Sequence, residues 1–160
     1  MDHVDAILAQ WNRERPDLDV APMGFIARLM RVARHMSREM EATFARHGLN
    51  GATFDVLATL RRAGPPHALS PGALMESMMV TSGTVTNRID QLERAGLVLR
   101  APNPQDGRGF IVNLTEEGLA RIDAAVSDHV ATQARLVEQI PSPMREVLEE
   151  ALRHYLDRGA

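Results

Sequence analysis

Apolar side chains recur at helical spacing from the start of the chain. Val4, Ile7, Leu8 and Trp11 stand at i, i+3, i+4 and i+7, which predicts a short amphipathic helix. The run "RPDLDVAP", with Pro16 and Pro22, breaks it. A longer helix follows on the stripe Phe25, Leu29, Val32, Met36, Met40 and Phe44 and runs to about Arg46, where Gly48 and Asn50 supply its stop. "GATFDVLATLRRAG" predicts a third helix, closed by Gly64 and the pair Pro65-Pro66.

From Ser70 the punctuation tightens. Ser70 caps a short helix, "PGALMESMM", with Pro71 in its first turn. Thr81 or Ser82 caps the next, "GTVTNRIDQLERAG", whose apolar positions Val85, Ile89 and Leu92 are helically spaced and which Gly96 ends. "LVLRAP" and "GFIVNLT" are β-rich runs on either side of "NPQDG", so they read as a hairpin. Thr115 opens a long helix with Glu116 and Glu117 in its first turn and the stripe Leu119, Ile122, Val126 and Val130, continuing to Leu136 and Ile140. After "PSP" a last helix carries Met144, Val147, Leu148, Ala151, Leu152 and Tyr155.

Two short helices with a tight connection followed by a hairpin are the order of a winged helix-turn-helix. The expected fold is mainly α with a small β-hairpin wing. Residues 49–115 form the winged lobe, flanked by helices in 1–48 and 116–160. The terminal stripes are more apolar than such a lobe needs. They either dock back on it or meet a second copy, and a homodimer is favoured because two-fold proteins match palindromic DNA sites.

Composition narrows the function. With 160 residues, 44% apolar and 24% charged, the chain suits one ordinary domain that folds without disulfides or metal. Cysteine is absent, which excludes thiol catalysis and cysteine-ligated zinc. The acidic, alternating N-terminus is no signal peptide, and no apolar run approaches the ~20 residues of a membrane span, so a cytoplasmic protein is expected. The six histidines show no metal-binding spacing, and the chain has neither a Gly-rich phosphate loop nor a G-x-S-x-G elbow. Neither an enzyme nor a cofactor or metal protein is expected. The net charge of -3 argues against a protein coated in positive charge but leaves room for a local basic patch. All 18 basic residues are arginine, which reads planar anions and base edges bidentately.

Ser82, Thr84, Thr86 and Asn87 set short hydrogen-bonding side chains near the start of the second short helix. There they either read base edges and phosphates or serve as a cap and solvated surface. Arg108 sits at the hairpin tip, two residues after Asp106, suited to a narrow minor groove. The stretch "TSGTVTNRIDQLERAGLVLRAPNPQDGRGFIVNLTEEG" resembles the recognition helix, wing and dimer-helix entry of the multiple-antibiotic-resistance regulator (MarR) family of bacterial transcription factors. The resemblance implies a repressor that binds double-stranded DNA, with Arg108 as the wing arginine oriented by Asp106. Gly107 departs from the pattern, since many members carry a basic residue there.

A narrower resemblance is to the urate-responsive subgroup, which adds an N-terminal helix and holds its ligand with a tryptophan, an aspartate and two arginines. Trp11, Asp55, Arg88 and Arg100 stand at those positions, so residues 1–48 would supply a pocket helix as well as dimer contacts. Each has an ordinary alternative. Trp11 packs on an apolar face or stacks on a flat heterocycle. Asp55 faces solvent, accepts a purine N–H or pairs with an arginine. Arg88 pairs within its domain, touches a phosphate or holds an anion. Arg100 is an exposed strand residue or completes an anion clamp. The implied function is a repressor released from a pseudo-palindromic operator by urate or a related purine anion. A small polycarboxylate or another aromatic anion is the alternative effector. A winged-helix module that binds only protein is the alternative of another class.

Overall fold

The computed structural model describes residues 2–78, 82–103 and 109–159. The chain separates into two compact units, Met1–Glu39 and Met40–Ala160, with the boundary inside a continuous helix.

The first unit holds α1 (His3–Glu14) and the leading part of α2 (Ala21–Arg46). Asp2 caps α1: its carboxylate accepts the Val4 and Asp5 backbone N–H at 2.8 and 3.0 Å, while the Asp5 carboxylate accepts the Asp2 N–H at 2.7 Å. Arg28 of α2 donates to both carboxylates. Its hydrogen bond is the main reason the Asp2 carboxyl is held down to about 2. Gly24 lets the helices approach, since a Cβ there would lie 2.7 Å from Leu8 Cδ1. Pro22, expected to lie in the break, instead occupies the first turn of α2, where its missing N–H costs nothing.

In the second unit, α3 (Gly51–Arg62), α4 (Pro71–Met78), α5 (Ser82–Arg94) and α6 (Glu116–Glu138) surround one core. The expected stripe of α5 is buried there as Val85, Ile89 and Leu92, against Val56, Leu57, Leu60, Leu74, Val112 and Ile122. The end of α2 joins this core through Phe44. The wing is larger than a hairpin. Strands β2 (Val98–Pro102) and β3 (Phe110–Leu114) pair antiparallel from Val98↔Leu114 to Pro102↔Phe110. A two-residue strand, β1 (Ala68–Leu69), adds to the other side of β3, giving the order β1-β3-β2. Two residues are too few to show a period-2 pattern, so β1 is not legible in the sequence.

The α5–β2 turn is fixed against the start of α6. Thr115 caps α6 by accepting the Gly118 N–H at 2.9 Å, and its hydroxyl donates to the Gly96 carbonyl at 2.8 Å. Gly96 turns the chain at φ +72°. Gly118 lies so close to the Leu97 backbone that a Cβ on it would stand 1.9 Å from the carbonyl oxygen. Deeper in the unit, Thr43 and Thr132 share a buried hydroxyl–hydroxyl hydrogen bond of 2.8 Å between α2 and α6. Beside it Phe44 stacks on Phe54 with centroids 4.2 Å apart, and the His129 ring lies 5.0 Å from each.

The predicted terminal stripes exist as helices, buried in part, as at Val4, Phe44, Ile122 and Leu136, and bare in part. Phe25, Leu29 and Val32 of α2 are exposed, and so are Met144, Val147, Leu148, Leu152 and Tyr155 of α7 (Ser142–Gly159).

Candidate nucleic-acid interface and anion site

Helix α5 has two faces. Val85, Ile89 and Leu92 anchor one in the core, so the intervening residues point outward. Thr84, Thr86 and Asn87 are exposed as expected. Gly83, Thr86, Asn87, Asp90 and Arg94 line one shallow open depression along the helix. Ser82 begins α5, but its side chain lies outside the described residues, as do Thr81 and the wing-tip residues Asp106 and Arg108.

The structure brings two of the four candidate effector residues together. Arg88 Nη1 lies 3.8 Å from Asp55 Oδ2 across the α3–α5 packing. At that length the pair is an ion pair without a hydrogen bond. The Arg88 side chain is 20% exposed and that of Asp55 42%, so a small solute has access to both. Arg88 is one residue from the buried Ile89, which couples its position to the rest of α5.

Arg100 is engaged differently. It leaves β2 toward α5, where its guanidinium donates to Asp90 through one nitrogen and to Glu93 through another. Its backbone N–H also reaches Glu93 Oε1 at 3.3 Å. Phe110 of β3 lies under the guanidinium, 5.2 Å from carbon to ring centroid. The hydrogen bond to Asp90 above all holds the Arg100 pKa above its usual value. Sequence reading missed Asp90 and Glu93. Their signal was an acidic pair one helical turn apart just before a strand arginine.

Trp11 belongs to the first unit and is 40% exposed, so its ring is not consumed by packing within that unit. Among the described residues, no helix is long and apolar enough to cross a membrane.

Comparisons with known proteins agree on one family. Residues 47–109 match the MarR family. The chain is 41% identical over 155 residues to the HTH-type transcriptional regulator PecS of Dickeya dadantii (strain 3937), covering 97% of this chain and 91% of that protein. It is 28% identical over 142 residues to the HTH-type transcriptional repressor YetL of Bacillus subtilis (strain 168), covering 89% and 84%. A crystal structure of a mutant MarR from E. coli complexed with operator DNA matches with a TM-score of 0.71 at 25% identity, over 91% of this chain and 97% of that one.

Proposed function

The chain belongs to the MarR family of DNA-binding winged helix-turn-helix transcriptional regulators and is not an enzyme. From that premise we propose that it is a cytoplasmic, homodimeric repressor released from a pseudo-palindromic operator by urate or a related purine anion. Ser82, Thr84, Thr86 and Asn87 read the major groove from α5, and the wing carries Arg108, oriented by Asp106, to the minor groove. The first two helices and the last two interlock in the dimer, covering the bare apolar faces of α2 and α7, and its half-site centres lie about one helical turn apart.

The observation that carries the effector reading is the Asp55–Arg88 pair. An arginine on the DNA-reading helix is held by a carboxylate at ion-pair distance without a hydrogen bond, so an anion with better geometry replaces that carboxylate. Binding then pulls on α5 and repels Asp55. A ligand that favours this displaced arrangement shifts the population away from the DNA-competent one by its difference in affinity. Trp11 supplies a flat stacking surface, which favours a purine over a non-aromatic anion. Arg100 completes the ligand set. A small polycarboxylate is the second reading, because two guanidinium groups suit it almost equally.

The test follows Trp11 fluorescence while urate, xanthine and citrate are added in turn, with release from operator DNA measured in parallel. Urate or xanthine is expected to change the corrected fluorescence saturably and to release DNA over the same concentrations. A response to citrate alone selects the polycarboxylate, and indifference to both purines ends the purine assignment.

A further inference from the structure

Within α5 the formal charges cancel: Arg88 and Arg94 balance Asp90 and Glu93. A DNA-reading helix carrying two carboxylates is at a disadvantage, since carboxylates repel phosphates and among bases accept well only from cytosine N4. Asp90 aggravates this because it lines the same depression as Thr86, Asn87 and Arg94. The wing corrects it. Arg100 reaches from β2 to both carboxylates, and Phe110 backs its guanidinium.

We infer that Arg100 is an electrostatic gate. Paired with Asp90 and Glu93 it masks the acid on the recognition helix, and an anionic effector that draws its guanidinium away returns that acid to the operator face. Arg100 is thus a positioning residue for DNA as well as a ligand for the effector. The masking half rests only on DNA binding by the family. The release half rests on the proposed effector reading.

The masking half is tested on the full chain without effector. Arg100→Ala is expected to weaken operator binding about tenfold, through like-charge repulsion and loss of one favourable charge. Arg100→Ala combined with Asp90→Asn and Glu93→Gln is expected to regain most of that loss. A purely structural role is distinguished by the melting temperatures of the same variants: masking predicts that operator affinity is lost and regained at protein concentrations and temperatures where every variant is folded, whereas a structural role predicts that affinity follows the melting temperature. Arg100→Lys keeps one positive charge beside the carboxylates but loses the two-nitrogen grip and the stacking on Phe110, so its affinity is expected to fall between those of the parent protein and Arg100→Ala. Full affinity in Arg100→Ala, or no recovery on neutralisation, overturns the inference.

The release half uses Asp90→Asn/Glu93→Gln with Arg100 retained and urate as the probe. At concentrations that saturate the Trp11 signal, this variant is expected to keep its operator to urate levels at least about fivefold above those that release the parent protein. Equal release from both overturns the gate. If urate leaves the parent fluorescence unchanged, the effector reading and the release half fall together, and the ligand-free comparison still decides the masking.

Discussion

A single hydrogen separates Gly118 from failure. Its Cα sits where any Cβ meets the Leu97 carbonyl at 1.9 Å, and that oxygen belongs to backbone, so no side-chain rotation relieves the clash. Gly118→Ala is expected to cost about 1–3 kcal/mol, toward the upper end, because the turn and the helix start must part. Chemical denaturation at fixed protomer concentration measures it. His129 supports a second prediction. Its Nδ1 is buried without a hydrogen-bond partner among the described residues, and burial lowers the ring's pKa. The unfolded chain therefore takes a proton first as pH falls through about 6.5, and the stability present above that pH is progressively lost. His129→Phe keeps the aromatic cluster with Phe44 and Phe54 but cannot titrate. The gap between its melting temperature and that of the parent protein is expected to shift in favour of the variant from about pH 7.5 to 5.5, and a pH-independent gap refutes this. Neither residue was legible in the sequence. A glycine inside a helix and a histidine on an apolar stripe acquire meaning only from the backbone or rings that tertiary packing brings against them.

Among the elements, α5 was the most legible. Its buried positions keep strict helical spacing, so the outward residues follow by subtraction, and Arg88 stands out in the sequence as a residue that pairs within its domain, touches a phosphate or holds an anion. Its distance to Asp55 was not legible, because the packing of α3 on α5 sets it. The same pair makes a prediction about the element. Asp55→Asn removes the competing carboxylate while keeping its shape. If Asp55 serves to be displaced, this variant is expected to bind urate about as well as the parent protein or better, yet to release DNA less completely. Arg88→Ala is expected to weaken urate binding by about 1–3 kcal/mol when assayed without DNA. Isothermal titration with a parallel gel-shift assay reads both, and unchanged affinity in Arg88→Ala removes α5 from the ligand site. The wing shows where pattern reading stops. β2 and β3 carried alternation enough to be seen, whereas β1 exists only because β3 offers it an edge. The partners of Arg100 likewise became visible only once the β2–α5 juncture was formed.

At the scale of the whole molecule, the bare side chains on α2 and α7 are too many and too large for an isolated chain in water. Phe25 is 69% exposed, Val147 67% and Tyr155 77%. Large apolar side chains left in water along one face of a helix mark an interaction surface. Sedimentation at micromolar concentration is therefore expected to give a dimer. Replacing Phe25 and Val147 together by Glu is expected to shift it toward monomer and to abolish operator binding, since one lobe alone grips a single half-site. A monomeric parent protein removes the two-fold arrangement from the proposal. The stripes predict the helices, and their excess over what the lobe needs favours a face left for a second copy, with docking back on the lobe as the alternative. A sequence marks which face is apolar, and only the folded chain shows whether its own elements cover it.

The Thr43–Thr132 pair gives the α2–α6 contact something that apolar packing alone does not. Hydrocarbon surfaces tolerate sliding, because one methyl replaces another at little loss. Two buried hydroxyls that satisfy each other do not, for a slip of one turn parts them and forfeits the hydrogen bond. The pair thus acts as a detent, fixing how far α6 is inserted along α2 and resisting axial travel while leaving the helices free to rock about the contact. Any displacement of α6 against α2 that keeps this hydrogen bond is therefore a rotation about it rather than a translation along the helices.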